Sequence, residues 1–366
     1  MSKVIRPIAI YLPQFHPVPE NDVWWGKGFT EWTNVVKSRP KFKGHYQPHL
    51  PADLGFYDLR LEETRIAQAE MAKSFGIYGF CYYHYWFNGR RILERPFEEV
   101  LHTGKPDFPF CLCWANENWT RRWDGDEHEI LLKQEYNIDD DRNHMKHLCS
   151  AFRDPRYIRI DGKPVFSVYR TMLLPNIRKT VETWRETARK EGIGEIYLCR
   201  MESISQKIDP VSIGFDAAIE FQPDLESLQA RNWGSLFKRA LNKVKIKRSP
   251  FLKNMVYEYS EVVKNMIAKS PTNYKLYPGI TPGWDNSARR QEGALIFNNS
   301  TPELYESWLN NIVKSFRPFS TDENFIFINA WNEWAEGNHL EPCKRWGTSY
   351  LEATKRVVEI YNSNNA

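Results

Sequence analysis

Eight short apolar runs, spread over the whole chain and separated in most gaps by stretches of helical spacing, constrain the fold more than any other feature of this sequence. They fall at 4–12, 77–83, 108–114, 164–169, 195–199, 217–221, 274–280 and 325–329. Apolar residues recur at helical intervals in 60–74, 91–102, 140–151, 177–191, 302–316 and about 348–362. Strands alternating with helices predict parallel βαβ units, and eight such units close a (β/α)8 TIM barrel of the α/β class. The structural competitor is an open doubly wound sheet. Against it, no Gly-rich dinucleotide turn comes after any run, and polar residues cluster after many runs instead of at one switch point. Barrels commonly exceed 250 residues as one unit. The 366 residues are therefore expected to form a single catalytic domain with long loops and a basic helical insertion around 222–270.

The residues just after each run are as informative as the run itself. The first gives way to a long loop with Trp24, Trp25, Phe29, Glu31 and Trp32, and the second to Tyr83, His84 and Tyr85. The third discharges Trp114, Asn116, Glu117 and Trp119, while Glu220 and the pair Trp284 and Asp285 stand after later runs. Long loops at the C-terminal ends of strands are where barrels build their sites. The chain also carries 14 Trp, 18 Tyr and 21 Phe, more tryptophan than interior packing usually calls for. Sugar-binding clefts use such rings against the apolar faces of pyranoses, so carbohydrate becomes the leading substrate class.

The densest cluster stands after the last run: Asn332, Glu333, Trp334 and Glu336. In a continuing strand the two glutamates would point to opposite faces, so they converge only if the chain turns after Trp331, which Ala335 and Gly337 permit. Paired carboxylates suit glycosidic chemistry, in which one stays protonated to release an alkoxide while the other supplies charge or takes a proton. Trp331 and Trp334 would press on a sugar ring and raise one carboxyl pKa by excluding water. The plainer alternative makes the glutamates solvated loop acids and Trp331 a core residue. Glu31 as a cap and His84 as an ordinary strand-end histidine are the corresponding alternatives elsewhere.

Other chemistries find less support. Pro48 argues against His45 and His49 sharing a helix as a metal pair, so no metal and no cofactor is expected. Asp124 and Asp126 form an Asp-x-Asp pair of the kind that holds a nucleotide-bound divalent ion, but no phosphate-cradling glycine loop accompanies it. A net charge of +4 is too small to imply a nucleic-acid binder, and none is expected as a partner. Locally, 231–253 carries eight basic residues and no acid, with Leu236, Phe237, Ala240, Leu241 and Val244 on one helical face. This is either a surface for peripheral membrane contact or a solvated face on a barrel insertion. The six cysteines are scattered and read as buried, reduced thiols. The first apolar run, broken by Pro13, is too short for a signal-peptide core or a membrane span, so a cytoplasmic protein is expected.

Five motifs carry a family likeness: GFTEWTNV at 28–35, FCYYHYWFNGRR at 80–91, CWANENWTRRWDG at 113–125, PGWDN at 282–286 and NAWNEWAEG at 329–337. Over nearly its whole length the chain resembles the WbsX-type proteins encoded in bacterial surface-polysaccharide loci, which are often labelled glycosyltransferases. The last motif also resembles glycoside hydrolase family 99, the endo-α-mannosidases and endomannanases, which are (β/α)8 barrels. In that family one glutamate helps the substrate's own 2-hydroxyl form a 1,2-anhydro sugar, and the other acts as general acid and then base, with net retention. By this resemblance Glu333 is the base and Glu336 the acid, and Ala335 stands where a histidine is expected in the endomannosidases. A retaining hydrolase of an α-linked surface glycan is the resulting expectation. A glycosyltransferase of lipopolysaccharide or capsule biosynthesis is the first alternative, and a lectin-like module that only binds is the second.

Overall fold

A computed structural model describes residues 4–121, 126–203, 207–229 and 253–365, without the side chains of 121, 126–128 and 229. Asp124, the side chain of Asp126 and nearly all of the basic 231–253 stretch therefore lie outside the described residues. All eight apolar runs are strands: β1 (Arg6–Tyr11), β2 (Gly79–His84), β3 (Phe110–Trp114), β4 (Lys163–Val168), β5 (Tyr197–Glu202), β6 (Ala217–Glu220), β7 (Leu276–Tyr277 and Gly279–Ile280) and β8 (Phe325–Ile328). They pair in parallel in chain order, and β8 returns to β1 through Arg6 opposite Phe325 and Ile8 opposite Phe327.

Pro278 divides β7, since it has no N–H to give a ladder. Leu276 and Tyr277 pair with Ala218 and Ile219 of β6, whereas Gly279 and Ile280 pair with Phe327 and Ile328 of β8. The two halves are contiguous in the chain, so the nine-segment sheet is a closed eight-stranded barrel. The closure is tight. A Cβ on Gly279 would overlap the Glu220 carbonyl oxygen, well inside any permitted contact. Gly279→Ala is expected to destabilise the fold by about 1–3 kcal/mol or to prevent soluble expression, a result that chemical denaturation of the purified variant checks.

Six sequence-predicted helices form, α1 (Glu62–Ser74), α2 (Arg95–Thr103), α3 (Ile138–Phe152), α4 (Ile177–Lys190), α6 (Pro302–Ser315) and α7 (Ser349–Asn365), joined by α5 (Tyr259–Ile267). Their starts are fixed locally: the side chains of Asn137, Asn176 and Thr301 accept from the Asp140, Lys179 and Leu304 amides, satisfying donors that the first turn leaves open. Outward strand residues meet the helices ring to ring, as Phe166 does Trp184 at 5.8 Å and Tyr82 does Phe97 at 5.3 Å. Inward residues include large ones, as where Tyr197 and Tyr277 meet at 3.1 Å between hydroxyls, and small ones. Cys81 Sγ lies 3.9 Å from Ser167 Oγ although β3 separates their strands, so both fill the barrel interior. All six cysteines are buried and free.

Among the elements added to the barrel pattern, three stand near its C-terminal mouth or beside it. Trp119–Arg121 pairs antiparallel with Asp126–Leu132, and Met255–Glu258 pairs in parallel with Leu295–Asn298. The third is α5. Their sequences lack the flanking rhythm of a βα unit, and only tertiary packing makes them regular.

Candidate active site

The mouth is shaped by how β8 ends. After Asn329 the Trp331 amide donates to Ile10 O at 2.7 Å, and Asn332 clamps the end of β1 twice, accepting from Leu12 N at 2.8 Å and donating to Leu12 O at 3.0 Å. Asn332 and Glu333 then pair antiparallel with His339 and Asn338, and Trp334–Glu336 forms a single 3-10 turn closed by Gly337 at φ 56°. Left-handed backbone favours glycine, and a Cβ here would also stand 2.9 Å from Asp285 Cβ. This turn, required for the two glutamates to converge, brings Glu333 and Glu336 to one cavity of about 480 Å³. Every barrel strand contributes to its lining just past its C-terminal end, from Leu12 after β1 round to Asn329 after β8.

One residue organises the cavity floor, and sequence reasoning missed it. Arg289, in the loop after β7, donates from Nη2 to Glu333 at 2.6 Å and from Nη1 to Glu336 at 2.5 Å. It also reaches Glu31 from Nε at 2.9 Å and from Nη2 at 2.5 Å. A single guanidinium thus fixes both carboxylates and a third, fully buried one behind them. Burial drives the proton affinity of Glu333 well above the usual carboxylate range; Arg289 opposes this, while the negative charges of Glu336 and Glu31 add to it. For Arg289, burial disfavours the charge but the three carboxylates raise its pKa beyond the ordinary value. The available signal was the paired Arg289-Arg290 in a loop after a strand, since converging buried acids need a cation.

Other residues expected at the site divide into two groups. Tyr83, Tyr85, Glu117, Trp119 and Trp284 line the cavity with the glutamates. Trp24 stands beside it, its ring 6.3 Å from that of Trp119. Glu117 is held by Arg170 Nη1 at 2.6 Å.

The remaining residues do not reach the cavity and act as struts. Trp32 donates to Tyr57 O at 2.9 Å and packs on Phe15, and Trp334 stacks on His339 at 3.8 Å between ring centroids. Trp331, expected either on a sugar or in the core, is fully buried against Phe80. Trp114 is buried beside Trp184, and His84 faces His144 at 3.0 Å with burial lowering its pKa to about 3. Asn116 joins the ends of β3 and β4 through both the amide and carbonyl of Arg170. Glu220 binds Lys269 and the Gly279 amide, and Asp285 accepts from Gln47 at 2.8 Å and from Ser287 N at 3.0 Å while paired with His45 at 2.7 Å. Asn332 is spent on its two bonds to Leu12 and one to the Tyr57 hydroxyl. Large aromatic and amide residues at strand ends have two uses, facing a ligand or locking loops, and periodicity does not separate them.

Beneath the turn lies a buried acid that the motif reading passed over. Glu341 accepts from Gln68 at 2.6 Å, Trp334 Nε1 at 2.6 Å and Tyr57 at 2.8 Å. Burial pushes its pKa up to about 7, partly offset by these donors. A carboxyl raised in the folded state contributes stability that is complete below the ordinary carboxylate value and is lost as pH rises through the folded value. Unfolding free energy should therefore fall by roughly 3 kcal/mol between pH 4.5 and 8 on this account. Glu341→Gln should flatten that slope in parallel urea titrations across the range.

Among the described residues no group of three or more His, Cys, Asp or Glu is arranged to hold a metal ion, and no helix is long and apolar enough to cross a membrane.

This fold is shared with solved glycoside hydrolases. A glycoside hydrolase-like protein aligns with a TM-score of 0.61 at 14% identity, over 97% of this chain and 94% of that one. The GH99 endo-α-mannosidase of Bacteroides thetaiotaomicron aligns with a TM-score of 0.59 at 14% identity, over 98% of both chains. At such identity the likeness is one of fold, a GH99-type TIM barrel. The sequence is more specific: the family model for glycosyltransferase WbsX matches residues 7–354, and the chain belongs to that family. It is 43% identical over 355 residues to the uncharacterized protein WxcX of Xanthomonas campestris pv. campestris, in each of two strains. The match takes in 96% of this chain and 49% of WxcX, so the chain spans about half the length of the curated relatives it matches.

Proposed function

We propose that this chain is a carbohydrate-active enzyme that cleaves an α-linked glycan of the surface-polysaccharide type with retention of configuration. The observation that carries the reading is the pair Glu333 and Glu336, held on one guanidinium in a sugar-sized cavity with aromatic side chains in its wall. Tyr83, Tyr85, Trp119 and Trp284 offer ring faces to pyranoses, and Glu117 supplies an acceptor for hydroxyls. In the first step Glu333 takes the proton of the 2-hydroxyl, O2 attacks C1, the glycosidic C1–O bond breaks, and the departing oxygen takes a proton from Glu336. In the second step Glu336 takes a proton from water, whose oxygen attacks C1. The anhydro C1–O2 bond opens, and O2 recovers its proton from Glu333. Two displacements leave the configuration unchanged. The elevated proton affinity of Glu333 suits this role, because a carboxylate that holds its proton more tightly is a stronger base toward a weakly acidic alcohol than an ordinary one.

The test is incubation with surface polysaccharide fragments, with reducing ends measured and the first-formed anomer identified by proton NMR. New reducing ends that appear as the α-anomer support the reading, and an initial β-anomer overturns retention. The family name favours a second reading, transfer from a nucleotide sugar. Tight nucleotide-sugar binding that requires manganese, with no new reducing ends, would establish that reading in place of hydrolysis. Sugar binding with neither activity would leave a lectin-like module.

A further inference from the structure

The cavity lining combines two kinds of residue. Glu333, Glu336, Arg289, Gln14 and Glu117 supply charge and hydrogen bonds. Phe221, Pro223, Leu225, Met255 and Leu295 supply none from their side chains, yet they line the same space. This apolar part of the lining is built, not incidental. Met255 and Leu295 are partners in register across the short parallel ribbon, the Met255 amide donates to Ala294 O at 2.8 Å, and the Leu295 amide donates to Asn286 Oδ1 at 2.9 Å. Phe221 leaves the end of β6 with its ring 5.1 Å from that of Tyr169. The flat faces of a pyranose are already provided for by Tyr83, Tyr85, Trp119 and Trp284. An aliphatic surface in addition to them has no use for an ordinary hexose, whose hydroxyls would be stripped of water there without gaining a partner.

We infer that the sugar seated in this cavity carries a methyl group, as a 6-deoxyhexose or an acetylated sugar, packed against Phe221, Pro223, Leu225, Met255 and Leu295. The inference rests on the proposed action on glycans and adds the class of sugar. Recognition of the methyl itself is by apolar burial, while Asn286, whose side chain accepts from the Leu295 amide, lines the cavity as well. Discrimination should therefore be that of a hydrophobic pocket toward one methyl or one added hydroxyl, about 10- to 100-fold.

The experiment uses the full chain carrying Glu336→Gln, so that ligands persist, and matched pairs of methyl glycosides. Rhamnoside against mannoside and 6-deoxytaloside against taloside, each as the α-anomer in one enantiomeric series, differ only in a methyl or hydroxymethyl group and keep O2 trans to the glycosidic oxygen. A 6-O-acetylmannoside against the unacetylated mannoside tests the acetyl source and leaves the 2-hydroxyl free for the proposed reaction. Titration followed by protein-observed NMR gives the affinities, and saturation transfer shows which ligand protons touch the protein. The expected result is at least 10-fold tighter binding for the methyl-bearing member of one pair, with its methyl protons the most strongly saturated. The pair showing the preference identifies the source. Phe221→Asn and, separately, the rim change Leu225→Asn should each reduce that preference, so the inference does not depend on one variant folding. Sugar binding with no preference in any pair, or a preference untouched by both folded variants, overturns this inference alone. Absence of binding by every sugar overturns the proposed function and this inference with it.

Discussion

Glu336→Gln is expected to lower turnover on a natural glycan by about 10²–10⁴-fold with the fold intact, the usual worth of a positioned acid–base group. The amide can still accept from Arg289 Nη1, so the cavity floor should keep its shape. The loss should be much smaller on a glycosyl fluoride, whose leaving group departs without a proton. Glu333→Gln should lose a comparable factor on both substrates, because the step that forms the anhydro ring is impaired whatever departs. That contrast assigns the two roles. If Glu333→Gln is the variant rescued by fluoride, the roles are exchanged. If both variants keep nearly normal turnover, the pair does no chemistry.

Arg289→Met should be the most damaging change to stability in the cavity, costing about 3–5 kcal/mol, because it leaves buried acids without their cation. The pH dependence has a definite sign. Glu333 already binds its proton more tightly in the folded protein than an ordinary carboxylate does, and Arg289 restrains that shift. Without the guanidinium the folded-state affinity climbs further, so stability is retained at acid pH and more of it is lost as pH rises. The deficit relative to the native protein should therefore widen from pH 4 to pH 8 in denaturant titrations. For the residual activity, the acid limb of kcat/KM should move to higher pH, since the base ionises later. A deficit independent of pH would show that Arg289 serves packing alone.

The barrel was legible because its strands are buried on both faces and its helices on one, which leaves a strong trace in the chain. Strand limits differ from the sequence-based ranges by only a few residues, and β7 is divided at the proline that lies inside its run. The position of Glu333 and Glu336 was legible too, because a turn with Gly337 leaves few ways to direct both acids. Arg289 was not, since nothing local distinguishes a buried arginine from a solvated one until its three carboxylate partners are brought from 44 to 258 residues away. The same limit explains Trp114, Asn116, Asp285 and Trp334. Their strand-end positions suited a ligand equally well; long-range bonds decided for support in Trp114, Asn116 and Asp285, and the fold of the turn onto Glu341 and His339 did so in Trp334.

The divided β7 bears on how the cavity can move. Two residue pairs lace it to β6 and two to β8, whereas four pairs join β1 to β2 and five join β2 to β3. The loop holding the central guanidinium thus hangs from the most lightly stitched seam of the cylinder. Local opening should therefore cost least at that seam, and the bonds of Arg289 to three carboxylates hold the loop across it.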